Sequence, residues 1–127
     1  MSKRKILIID DDKLLSRTIK AGLEQSGPYE VKIENNSKHA VNTTRDFRPD
    51  LILLDVIMPG MDGGDVASAI REDSELKDTP IIFLTSILGK GEAAAKDGII
   101  GEESMMAKPV SLNELTTRIE KTIKSKK

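Results

Sequence analysis

Four short aliphatic runs, Ile6 to Ile9, Leu51 to Leu54, Ile81 to Leu84 and the weaker Met105 to Ala107, constrain this chain most strongly. None alternates with polar residues, and each is too short for a helix to bury by itself. Such runs suit strands covered on both faces, as in a parallel sheet. Parallel neighbours need crossovers of about a dozen residues or more, and the intervening segments supply them with helical spacing. Leu14, Leu15, Thr18, Ile19 and Leu23 form an apolar stripe, which Gly27-Pro28 terminates. Further helices are expected over 38–47, over 64–72 with Val66, Ala67 and Ile70 inward, and over 111–124 with Leu112, Leu115, Ile119 and Ile123 inward. Ser111 and Glu114 make a capping box for the last of these. A short helix is expected within 89–98, where Ala93 to Ala95 offers little bulk. Tyr29, Val31 and Ile33 alternate with charged residues, so 29–34 reads as a strand with one polar face near the sheet edge.

The resulting five βα units predict a three-layer α/β fold with right-handed crossovers. The length of 127 residues suits one domain, 1–127, with no second catalytic unit. Lys124 to Lys127 reads as a basic tail or the start of a linker. Twenty Lys and Arg against twenty-one Asp and Glu give a net charge of -1, so overall charge draws the chain to neither nucleic acid nor an anionic membrane. The absence of cysteine removes disulfides and thiolate chemistry and agrees with a reducing compartment. The basic start is followed by only four apolar residues, too few for a signal peptide or a membrane span. A cytoplasmic protein is therefore expected.

In open parallel sheets ligands gather beyond the carboxyl ends of the strands. Here those ends carry Asp10-Asp11-Asp12, Asp55, Thr85-Ser86 and Lys108-Pro109. Asp12, beside the first helix, reads as its N-cap. Asp10, Asp11 and Asp55 together repel one another unless a cation joins them, and Mg²⁺ suits a site with few carboxylates, several waters and phosphate oxygens. A carboxylate nucleophile, a metal, a hydroxyl and an ammonium are the parts of a phosphoryl-transfer site. His39, the sole histidine, reads as a surface residue, and Gly60, Gly63 and Gly64 as turn formers.

The order of Asp10-Asp11, the segment Leu53-Leu54-Asp55-Val56-Ile57-Met58-Pro59-Gly60-Met61-Asp62-Gly63, Thr85-Ser86 and Lys108-Pro109 resembles the receiver domain of two-component response regulators. The resemblance spans essentially the whole chain. It implies a flavodoxin-like doubly wound (βα)5 fold with strand order 2-1-3-4-5 and phosphorelay signalling instead of turnover as an enzyme. It also implies Mg²⁺-dependent transfer of a phosphoryl group from the phosphohistidine of a sensor histidine kinase or phosphotransfer protein. Carried over by position, Asp55 is the acceptor and binds the metal, Asp11 is a direct ligand, Asp10 holds metal waters and the Ile57 carbonyl completes the set. Thr85 contacts the phosphoryl group and Lys108 pairs with it. The family allows pairing into a homodimer and an effector beyond Lys127.

Two departures stand out. Receivers often carry Tyr or Phe three residues before the Lys, where this chain has Met105, and 97–104 differs from the common Gly-Ala-Asp-Asp-Tyr pattern. The resemblance also implies that the side chains two residues after the acceptor and two after the hydroxyl approach the attacking water; here both are apolar, Ile57 and Ile87, which predicts slow self-hydrolysis. An alternative is a haloacid-dehalogenase-type phosphatase using Asp10 and Asp12. It leaves 55–63 unexplained and lacks a downstream acidic motif. A flavodoxin would instead want hydroxyls and glycines after the first strand.

Overall fold

The computed structural model describes residues 3–56, 58, 63–85, 99–100, 103–107 and 111–125. In chain order the elements are β1 (Arg4–Ile9), α1 (Lys13–Ser26), β2 (Tyr29–Glu34), a 3₁₀ turn (Ser37–His39), α2 (Ala40–Phe47), β3 (Leu51–Asp55), α3 (Gly63–Glu72), β4 (Ile81–Thr85), β5 (Ile99–Ile100), β6 (Glu103–Ala107) and α4 (Leu112–Ser125). One sheet contains all six strands in the order β2-β1-β3-β4-β6-β5.

The alternation of side chains along each strand builds the three layers. In β1, Ile6 and Ile8 join Leu51, Leu53, Ile82 and Leu84 on one face, where Ile19 and Leu23 of α1 and Leu115 and Ile119 of α4 cover them. Leu7, Ile9, Ile52, Leu54 and Phe83 face the other way onto Ala40 of α2 and Val66, Ala67 and Ile70 of α3. A strand wanting cover on both sides cannot alternate in hydrophobicity, which explains the uninterrupted runs. β2 lies at the edge with Tyr29 and Val31 buried and Glu30 and Lys32 exposed, as its alternating sequence predicts.

The parallel strands follow the expected doubly wound order, with β6 in the fifth place. The additional strand was not anticipated: Ile99 and Ile100 pair antiparallel with Ser104 and Glu103. This short pairing occupies the stretch where the sequence departs from the usual receiver pattern. The helix expected within 89–98 lies outside the described residues.

Local chemistry sets the helix boundaries. Asp12 caps α1 by accepting from the Leu15 amide at 2.9 Å. At α4, the Glu114 amide donates to Ser111 Oγ at 3.1 Å, and that hydroxyl meets Glu114 Oε1 at 3.0 Å. The α1–α4 side is tied to the sheet at its edge, where the Tyr29 hydroxyl donates to Glu120 Oε2 at 2.6 Å and Arg4 Nε lies 3.0 Å from the same oxygen.

Candidate functional site

Sheet register brings the polar strand ends together. Ile9 pairs with Leu54, so Asp10 and Asp55 follow side by side on adjacent strands. Both continue the alternation of their strands, Ile6, Ile8, Asp10 and Leu51, Leu53, Asp55, and so leave the sheet on the same face. Asp55 pairs with Leu84, and Thr85 with Ala107; the backbone of β4 therefore reaches one residue beyond the Asp55 position, beside the strand that leads to Lys108. The side chain of Thr85 and the whole of Ile57 and Lys108 lie outside what the structure describes, as does the Met105 side chain.

One carboxylate oxygen from each of Asp10, Asp11 and Asp55 lies within 4.8 Å of the others. Asp10 is fully buried and Asp55 is 7% exposed, whereas Asp11 is open to solvent. Buried anions this close are unfavourable unless charge or hydrogen bonds compensate them. The donor set fits a hard cation: oxygen ligands only, on one rim, with an open side. Two ligands of one Mg²⁺ at about 2.1 Å are at most about 4.2 Å apart, so a spread of up to 4.8 Å accommodates a mixture of direct and water-mediated contacts.

The backbone around Asp10 is held firmly. Its amide donates to Glu34 O at 3.1 Å, extending the β1–β2 ladder by one residue. Its carbonyl accepts from Asn35 Nδ2 at 2.8 Å, with Ser16 Oγ at 3.5 Å, and its Oδ1 accepts from the Asp12 amide at 2.9 Å. On the other side, the Gly63 amide donates to Val56 O at 2.7 Å and brings α3 against the end of β3. A cleft lined by Asp11, Lys13, Glu34, Asn36, Ser37 and Met58 opens beside the cluster, with room for about 530 Å³.

The structure thus assembles Asp10, Asp11 and Asp55 and sets Asp12 apart. Its carboxylate accepts from the Leu15 amide as the N-cap of α1, the role its place in the sequence predicts. Asn35 is not among the candidate residues marked in the sequence, and Gly63 is marked only as a turn former. Asn35-Asn36-Ser37 is a run of turn-forming residues at the end of β2, on the rim where ligands are sought, so the signal for Asn35 was present. For Gly63, the cue was a glycine pair opening a helix, where glycine is not a favoured residue.

Comparison with known proteins agrees with this geometry. A family described as the response regulator receiver domain matches residues 6–120. The phosphate regulon transcriptional regulatory protein PhoB of Pseudomonas aeruginosa is 36% identical over 126 residues, 98% of this chain and 53% of that protein. The polar-differentiation response regulator DivK of Brucella anthropi is 33% identical over 123 residues, 96% of this chain and 94% of that protein. The receiver domain of the Francisella response regulator 1452 superposes with a TM-score of 0.81 at 27% identity, covering 98% of this chain and 100% of that one. The chain therefore spans about half of PhoB and nearly all of DivK.

Proposed function

The chain belongs to the response regulator receiver domain family and serves phosphorelay signal transduction, and we propose that Asp55 is its phosphoryl acceptor. The observation that carries the assignment is the convergence of Asp10, Asp11 and Asp55 at the ends of two adjacent parallel strands, with Asp55 almost fully buried. The donor is a phosphohistidine on a sensor histidine kinase or phosphotransfer protein. An Asp55 carboxylate oxygen forms the new P–O bond as the P–N bond breaks, and the imidazole nitrogen keeps the electron pair.

Asp11, Asp55 and the Ile57 carbonyl would hold Mg²⁺ directly and Asp10 through water. When bound, the cation neutralises charge on the phosphoryl oxygens. Lys108 supplies a second positive charge for those oxygens, and Thr85 a hydroxyl that engages them after transfer. Self-phosphorylation and self-dephosphorylation are the only chemistry assigned to the chain. Residues 1–127 act as one receiver unit, with 124–127 as a tail or linker. Output passes through protein contacts to an effector, in a cytoplasmic setting and with no direct nucleic-acid contact by this domain. Among the described residues no helix is long and apolar enough to cross a membrane.

The test is incubation with acetyl phosphate and Mg²⁺ followed by intact-mass measurement. A single phosphoryl adduct present in the parent protein and lost in Asp55→Asn is expected. An adduct that survives that change rules out Asp55 as the acceptor.

A further inference from the structure

Asn35 has no part in the chemistry above, yet its side chain reaches from the end of β2 to the backbone of the acidic site. Its carboxamide donates to the carbonyl oxygen of Asp10 at 2.8 Å in a partly buried setting. That carbonyl belongs to the peptide joining Asp10 to Asp11, so the bond fixes the rotation of the peptide plane from which Asp11 departs. Asp10 itself is anchored independently, through its amide on Glu34 O and its Oδ1 on the Asp12 amide. Asp11 is not: its carboxylate is exposed, and among the described residues no donor is bonded to it. The place of the Asp11 carboxylate within 4.8 Å of its neighbours therefore follows from the backbone that carries it. Ser16 Oγ, at 3.5 Å from the same carbonyl and 2.8 Å from Asp12 O, is a weak second tether, because 3.5 Å is long for a hydroxyl hydrogen bond.

We propose that Asn35 is a positioning residue for the divalent cation, orienting the Asp10–Asp11 peptide so that the exposed Asp11 carboxylate is held ready beside Asp10 and Asp55. The inference rests on the metal-binding reading above and adds to it a residue on a different strand. Partners that orient metal ligands without touching the metal commonly change affinity by about 10–100-fold. A backbone tether acting on a single ligand belongs at the lower end of that range.

The experiment is a Mg²⁺ titration of the melting temperature for the parent protein, Asn35→Leu and Asn36→Ala, with phosphorylation by acetyl phosphate measured across the same Mg²⁺ range. Leu has the same number and branching of side-chain heavy atoms as Asn but cannot donate. Asn36 lies in the same loop, where its side chain accepts from the Lys38 amide, and controls for general loosening. For Asn35→Leu the half-saturating Mg²⁺ concentration is expected to rise about tenfold in both readouts, while the phosphorylation rate at saturating Mg²⁺ stays near that of the parent. Asn36→Ala is expected to leave the half-saturation point unchanged. A lower melting temperature without Mg²⁺ and an unchanged half-saturation point in Asn35→Leu would make Asn35 merely structural and overturn the proposal, as would an equal shift in Asn36→Ala. Should Asn35→Leu fail to fold, Asn35→Ala carries the same test. A parent protein whose melting temperature does not respond to Mg²⁺ refutes the metal-binding reading itself, a result distinct from failure at Asn35.

Discussion

Gly63 begins α3 in direct contact with the main chain of Asp55: a Cβ at residue 63 would overlap the Asp55 carbonyl oxygen and come within 2.8 Å of Val56 Cα. The Gly63 amide meanwhile donates to Val56 O, so the helix cannot back away without losing that bond. Gly63→Ala is expected to cost about 3 kcal/mol, the upper part of what overpacking a rigid site entails. Gly64, one residue on, is exposed, and Gly64→Ala should be neutral or stabilising by up to about 1 kcal/mol, because alanine has the better helix propensity. Denaturant unfolding of the two variants checks the contrast. Equal effects would mean that the close approach at residue 63 does not govern this junction.

Asp12 separates the signalling reading from the phosphatase one. Its carboxylate accepts from the Leu15 amide at 2.9 Å as the N-cap of α1, so Asp12→Ala is expected to lower stability by about 1 kcal/mol. Phosphoadduct formation from acetyl phosphate should persist, whereas Asp11→Ala should suppress it. Loss of the adduct in Asp12→Ala, with the protein folded, would place Asp12 in the chemistry after all.

Most of the fold and much of the site can be read from the chain because burial on two faces leaves so plain a mark. Ile6 to Ile9 and Leu51 to Leu54 admit no polar residue, and the register that pairs Ile9 with Leu54 carries Asp10 and Asp55 together. Other features depend on distance in space, which periodicity does not encode. Nothing local to Asn35 says that its carboxamide meets Asp10, 25 residues away in sequence. Likewise, Gly63 reads as a turn former until β3 is seen against it. The pairing of Ile99 and Ile100 with Glu103 and Ser104 was hidden for a different reason: two residues are too few to show any period.

Tyr29 is the sole tyrosine and reports on the α4 contact. Burial, followed by its hydrogen bond to the Glu120 carboxylate and that group's charge, pushes its phenol up to about 12, against a partial opposing effect of Arg4. A raised folded-state value means that this contribution to stability is fully present below the unfolded phenol value of about 10 and is lost as pH climbs towards about 12. Absorbance titration of tyrosinate should therefore show ionisation displaced upward and accompanied by unfolding. Tyr29→Phe should remove the alkaline effect and, by deleting one hydrogen bond to a charged group, lower stability by about 1.5–3 kcal/mol at neutral pH. Ionisation near pH 10 in the folded protein would contradict the Tyr29–Glu120 bond.

With Asp55 as the proposed acceptor, the lifetime of its phosphoryl group is a further quantity open to test. An aspartyl phosphate is a mixed anhydride, and its hydrolysis needs a water lined up with phosphorus. Ile57 and Ile87, two residues beyond Asp55 and Thr85, lie outside the described residues, but their chemistry is plain: neither can accept or donate a hydrogen bond to orient that water. Loss of phosphate from purified phosphoprotein should accordingly be slow, extending well beyond seconds. Ile57→Asn and Ile87→Glu each add a polar group at the same position. If water orientation is limiting, they should hasten the loss by up to about 100-fold, the lower end of what a positioned acid–base group contributes. Ile87→Glu alters neither the acceptor nor a proposed metal ligand, so its Mg²⁺ dependence of phosphorylation should stay as in the parent. A phosphoryl half-life of seconds in the parent protein would show that water is oriented by some other group, and that apolarity at these two positions does not set the lifetime.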